Sequence, residues 1–178
     1  MKIQPENSTL GARISDIDLR VLSSSAIRNI YEAWHEFAVL VFPKQYLDDK
    51  AHISFSSIFG GLERLLTASI ADENPEICRV SNVRLDGRID KLGDSYELHQ
   101  RGNQYWHTDS SYKNVPSKAS VLRAITVPES GGATEFADMR AAYDALDIEY
   151  RTRLEKKVVV HDYIYSQGLI GGLDQLTD

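Results

Sequence analysis

His107 and Asp109 stand two residues apart in Tyr105-Trp106-His107-Thr108-Asp109-Ser110-Ser111, and this pairing constrains the chain more than any other feature. On an extended backbone, alternate residues leave the same side of a strand, so the imidazole and the carboxylate project together. A neutral ring nitrogen and a carboxylate oxygen on one side can hold one divalent cation from adjacent coordination positions. The spacing therefore predicts a strand through His107 and Asp109, with a metal in front of it.

The tripeptide alone is weak, because His-x-Asp occurs by chance in many proteins and then serves a surface hydrogen bond. As a metal site it supplies two of the three ligands in a 2-His-1-carboxylate facial triad, the arrangement of non-haem Fe(II) oxygenases. Its surroundings add weight. A β-rich run, Ala119 to Val127, lies between Pro116 and Pro128. It is followed by Gly131-Gly132-Ala133-Thr134-Glu135-Phe136-Ala137-Asp138-Met139-Arg140 and then by the helical Ala141 to Leu146.

Composition excludes several classes. The 178 residues suffice for one domain with a core, and 42% hydrophobic against 26% charged residues is ordinary for a globular chain. The net charge of −6 and the absence of Lys/Arg runs leave no electrostatic footprint for nucleic acid. No apolar run approaches the roughly 18–20 residues that cross a bilayer, and Met1 to Glu6 lacks a signal-peptide core. With a single cysteine, Cys78, a reducing cytoplasmic location is the expectation. A small-molecule substrate remains open, since a local basic pocket can override an acidic whole.

Along the chain, Ala12 to Leu19 alternates as a strand does, and Ser24 or Ser25 can cap a helix with Ile27, Ile30, Tyr31, Trp34 and Phe37 on one face. His35 lies beside that stripe as a surface or partly buried residue. Ala38 to Phe42, ended by Pro43, reads as a short buried strand. Asp48 or Asp49 caps a second helix carrying Ala51, Phe55, Ile58, Phe59 and Leu62, which Gly60-Gly61 stops; its His52 reads as solvated. Ile77 to Ser81 predicts another strand, and the aperiodic stretch from Leu85 to Gln104 a long binding loop or lid. Asp138 and Asp147 are placed to cap helices running to Leu146 and Lys157. Val158 to His161 again reads as a strand, after which the chain turns glycine-rich.

With these phrases in place, the chain resembles the TauD/TfdA family of Fe(II)- and 2-oxoglutarate-dependent dioxygenases, closer to its aryloxyacetate branch. Three phrases carry the resemblance: Trp106 to Tyr112, Val127 to Phe136, and Ala137 to Leu146. Weaker echoes are Ala38 to Phe42, Phe59 to Glu63 and Val80 to Val83, in the family's order. The resemblance implies a mainly β fold with flanking helices, a double-stranded β-helix or jelly roll. About eight strands close such a fold, and roughly five or six are legible, so the barrel is expected to be incomplete. The expectation is one domain over residues 1–178, truncated at its C-terminus, with open strand edges that favour self-association.

By resemblance, His107 and Asp109 are metal ligands for Fe(II), and the Thr134 hydroxyl hydrogen-bonds the distal carboxylate of 2-oxoglutarate. Asn82 matches a substrate-pocket asparagine, and an amide can meet an anion with its NH2 end. Trp106 is expected to pack the core, whereas Asp138 and Arg140 read as a helix cap and a surface cation. His161 matches a family histidine that is not a ligand; the family's second ligand histidine and its 2-oxoglutarate-binding arginine come later. The implied activity hydroxylates a small anionic organic substrate, aryloxyalkanoate- or sulfonate-like, while 2-oxoglutarate is decarboxylated to succinate. The 178 residues alone are expected to be inactive. Against this stands a catalytically silent jelly-roll module that binds a small anion or a partner chain. A Zn(II) hydrolase fares worst, because no general-base glutamate pattern accompanies the pair.

Overall fold

A computed structural model describes residues 1–7, 9–64, 74–81, 83, 87–89 and 102–169. The chain divides into two compact units, one of Met1–Leu62 with Val121–Lys157 and the other of Glu63–Ser120 with Val158–Asp178.

The first unit begins with a hairpin. Strand β1 (Lys2–Pro5) pairs antiparallel with β2 (Ala12–Ser15), Lys2 facing Ser15 and Pro5 facing Ala12. In the connection, Asn7 Oδ1 accepts the backbone N–H groups of Thr9 and Leu10 at 2.9 and 2.7 Å, the local bonding that suits Asn to turns. Gly11 closes it at φ +88°, where a Cβ would be strained.

Helix α1 (Ser24–Phe37) follows, capped by Ser23, whose hydroxyl accepts from Ala26 N; the cap lies just before the expected Ser24. The helix ends at Ala38, which takes a positive φ of 58° and returns its N–H to Trp34 O at 2.8 Å. That left-handed residue explains why the strand expected over Ala38–Phe42 shrinks to β3 (Leu40–Val41). Strand β3 runs parallel to β2, and α1 is the crossover that a parallel pair requires.

The apolar stripe of α1 faces this sheet and the next helix, α2 (Asp49–Ser57). Ile30 and Ala33 are buried on α1, His35 is exposed, and Ile14 and Ile30 are the largest fully buried side chains described. Leu19, Ile30 and Phe55 form one cluster, with Val121 packed on it; Ala12, Ile14 and Ala33 form the other. Asp48 caps α2 by accepting from Ala51 N at 2.7 Å. The helix stops at Ser57, short of Leu62, as Gly60 takes a φ of +141°.

His52 departs from its solvated expectation. Its Nε2 lies 3.0 Å from the Val121 carbonyl, which can only accept, so the ring donates there, and its Nδ1 is buried without a partner. Arg123 reaches α2 as well, with Nη1 on Leu47 O at 2.8 Å and Nη2 paired to Asp49. The run Ala119–Val127 is therefore not a strand; side chains, rather than a backbone ladder, fasten its described residues.

Helices α3 (Met139–Asp144) and α4 (Ile148–Leu154) follow, both ending before the expected Leu146 and Lys157. Asp138 caps α3, accepting from Arg140 N at 3.0 Å and Ala141 N at 3.3 Å, while Asp147 makes no side-chain cap bond. Arg140 is more than a surface cation. Its guanidinium donates to the carbonyls of His35 at 3.0 Å, Glu36 at 3.4 Å and Thr9 at 3.4 Å. The first two are at the C-terminal end of α1, where unpaired carbonyls collect and cations are favoured.

In the second unit the described residues carry little regular structure. Ile77–Val80 is not a strand, and an isolated bridge joins Val83 to Ile89. Val158–Val160 is exposed and without a ladder, and the glycine-bearing stretch after it forms helix α5 (Tyr163–Leu169) instead. Most of the expected loop between Leu85 and Gln104 falls outside the described residues. Three strands in one sheet are thus described, fewer than the roughly five or six expected, because a β-rich run becomes a strand only when a second edge bonds to it.

Candidate metal centre

Within the second unit, the backbone around His107 is not the predicted strand. Residues 106–108 have no regular structure, and Asp109 and Ser110 open a turn, Ser110 taking φ 55° and accepting from Lys113 N at 3.0 Å. The turn nevertheless brings the two side chains together, with His107 Nε2 at 3.2 Å from Asp109 Oδ1.

The outer atoms of both side chains are tied down. His107 Nδ1 lies 2.7 Å from the Tyr105 carbonyl, so this nitrogen carries the proton and donates. In the neutral ring Nε2 then keeps its lone pair, the form that binds metals. Asp109 Oδ2 accepts from the Ser120 hydroxyl at 2.5 Å, which leaves Oδ1 toward the imidazole. The turn itself is braced from a distance. Glu63 Oε2 accepts from Ser110 Oγ at 3.3 Å and from Ser117 Oγ, and its other oxygen pairs with Lys113 Nζ.

This donor set fits a divalent cation. Two donors at adjacent octahedral positions, each ~2.1 Å from the ion, stand about 3 Å apart, close to the observed separation. The side chains are 47% and 55% exposed, so a cation and further ligands have access. Among the described residues no group of three or more His, Cys, Asp or Glu side chains gathers to hold a metal. His161 places its Nδ1 2.8 Å from Ser111 Oγ.

Thr134 belongs to the first unit, exposed, beyond Gly131 and Gly132 at φ +74° and +68°. A Cβ on Gly132 would stand 3.2 Å from Pro128 Cγ, so this approach to Thr134 favours glycine on two counts. Asn82 lies outside the described residues. Trp106 is 71% exposed and does not pack the core, since its segment has no sheet to lie against. The sequence reading missed Ser120, Glu63, Ser110, Ser117 and Lys113. Of these, Ser110 and Glu63 carried a signal, as residues of family-like phrases.

Comparison with known proteins shows the family. The profile of the taurine catabolism dioxygenase TauD, TfdA family matches residues 2–176. The (S)-phenoxypropionate/alpha-ketoglutarate-dioxygenase of Sphingobium herbicidovorans is 38% identical over 99% of this chain and 58% of its own length. The alpha-ketoglutarate-dependent 2,4-dichlorophenoxyacetate dioxygenase of Cupriavidus pinatubonensis is 37% identical over 96% of the chain and 61% of its own. Among solved structures, AAD-2 in complex with Mn(II) and N-oxalylglycine superposes with a TM-score of 0.85 at 36% identity. That match covers 97% of this chain and 60% of AAD-2. The fold and the matches define a dioxygenase-family chain. It belongs to the TauD/TfdA family, and it spans about three fifths of the length of these relatives.

Proposed function

We propose that this chain supplies the first two metal ligands, His107 and Asp109, of an Fe(II)- and 2-oxoglutarate-dependent dioxygenase acting on a small anionic organic molecule. The observation that carries the reading is the facing pair, Nε2 and Oδ1 at 3.2 Å, each oriented through its far atom by Tyr105 O or Ser120 Oγ. Ferrous iron bound there would supply the redox chemistry that couples dioxygen and 2-oxoglutarate to substrate hydroxylation, with succinate and carbon dioxide as co-products.

The chain's own residues position and bind. Tyr105 O holds the His107 ring in one tautomer, and Ser120 turns one carboxylate oxygen of Asp109 toward the imidazole. Thr134 is assigned a hydrogen bond from its hydroxyl to the distal carboxylate of 2-oxoglutarate, and Asn82 a contact with the substrate anion. The substrate class follows the relatives' names, phenoxypropionate and 2,4-dichlorophenoxyacetate, with sulfonates as the second class. The fold assigned to the whole is the family's jelly roll as a single domain, which the 0.85 superposition on AAD-2 supports.

A silent anion-binding module is the second reading, favoured by one observation. Among the described residues the metal-binding side chains number a pair and not a trio. Two donors hold a divalent cation more weakly than three. The deciding experiment gives the protein expressed from its own gene ferrous iron, oxygen, 2-oxoglutarate and a panel of aryloxyalkanoates and alkylsulfonates. Succinate release that depends on one of these acids supports the dioxygenase. Saturable binding of the acid with no succinate establishes the silent module.

A further inference from the structure

We propose that Ser120 is a positioning residue that sets how Asp109 presents itself to a cation, making the carboxylate a one-oxygen ligand. The inference rests on the metal reading of His107 and Asp109 and adds a residue to it.

Asp109 is a poorly restrained side chain by itself. It is 55% exposed, and the final torsion of an aspartate is broad and roughly two-fold, so either oxygen could face the imidazole. The Ser120 hydroxyl removes that freedom. At 2.5 Å from Oδ2 the contact has the length of a charge-assisted O–H···O− bond, about twice as strong as a neutral one. With Oδ2 engaged, Oδ1 is the oxygen left 3.2 Å from Nε2.

Three serines near this turn engage Glu63 or Asp109, and they divide the work. Ser110 and Ser117 face Glu63 and stand 3.0 Å from each other, bracing the backbone. Ser120 alone of the three is bonded to a ligand atom. A carboxylate bound through one oxygen occupies one coordination position where a chelating one occupies two. Ser120 thereby keeps a position open for other ligands as well as orienting the one it holds. Partners of this kind are worth on the order of 10–100-fold in metal affinity.

Ser120 is exposed, so replacing it opens no core cavity, and two variants of equal shape isolate the hydroxyl. Ser120→Thr keeps the donor; Ser120→Val removes it. The measurement is Mn(II) titration of the protein expressed from its own gene, with free Mn(II) read by its electron paramagnetic resonance signal and folding checked by circular dichroism. Mn(II) binding is expected within about threefold of wild type for Ser120→Thr and on the order of 10–100-fold weaker for Ser120→Val, at equal melting temperatures. Equal Mn(II) affinity in the Thr and Val variants, with binding still lost in His107→Ala, overturns the role of Ser120 and leaves the metal pair standing. Mn(II) binding unchanged in His107→Ala overturns the pair itself, and the inference with it.

Discussion

Replacing Arg140 by methionine tests the tie between the start of α3 and the end of α1. The substitution keeps an unbranched apolar stem but removes the bonds to the carbonyls of His35, Glu36 and Thr9. Hydrogen bonds to a charged group contribute about 1.5–3 kcal/mol when well formed. Here one is well formed, at 3.0 Å, and two are long, at 3.4 Å. The side chain is 52% exposed, so solvent screens the charge and brings the contribution to the bottom of that range or just below it. A favourable cation at the helix C-terminus adds about 0.3–1 kcal/mol, partly the same interaction counted again. The expected loss is therefore about 1–2 kcal/mol. In a chain of this size that lowers the melting temperature by roughly 2–8 °C, read by urea and thermal unfolding at 222 nm. Arg140→Lys separates charge from shape, because an ammonium keeps the dipole term but cannot reach three carbonyls as a planar fork. It should recover less than half of the loss. Stability of Arg140→Met within 0.3 kcal/mol of wild type, on the order of an ordinary surface change, would falsify this account of the tie.

In the protein expressed from its own gene, His107→Ala or Asp109→Ala should abolish iron-dependent succinate release, and a wild-type rate in either would remove these residues from the metal site. Thr134→Val deletes only a hydroxyl and should weaken 2-oxoglutarate binding by on the order of 1.5–3 kcal/mol, measured as its apparent affinity; no change would make Thr134 structural. The Asp18 carboxyl is held down to about 2 by the hydrogen bond from the Arg20 guanidinium, then by the Arg20 backbone N–H. Because the folded value lies below the unfolded one, near 3.9, its contribution is complete above about pH 5 and fades as the pH falls toward 2. The stability gap between wild type and Asp18→Asn should follow that course in urea titrations at stepped pH; a gap that widens on acidification would reverse the assignment.

Helices α1 to α4 were legible because their signals are local, whereas α5 falls in a stretch read as glycine-rich chain. Ser23, Asp48 and Asp138 each cap within three residues of themselves, and the spacing of the apolar residues on α1 is intrinsic to that segment. Of the described strands, β2 and β3 were legible from their own residue patterns, whereas β1 was not. Ile77–Ser81, Ala119–Val127 and Val158–His161 have strand composition, yet no described segment bonds to them as a ladder. The metal pair was found from its spacing although the strand behind the argument is absent. A turn with Ser110 at positive φ brings the side chains of i and i+2 together by another route. The partners of Ser120 and Glu63 could not be read in advance, since a serine hydroxyl or a glutamate gives no local sign of the distant group it will bond.

The docking of Val121 and Arg123 on the first 62 residues also orders events in time. The hairpin, α1, β3 and α2 are complete once Phe59 has been made, whereas the groups that cover the Leu19–Ile30–Phe55 cluster and grip Asp49 come much later in the chain. At about 5–20 residues per second, the ribosome needs roughly 3–13 s to reach Arg123 from Phe59. Through that interval a nascent βαβ unit waits with one face of its apolar cluster uncovered, in reach of chaperones and of neighbouring nascent chains. The face of that cluster which Val121 comes to cover is the place where a cell would first detect a failure to complete this unit.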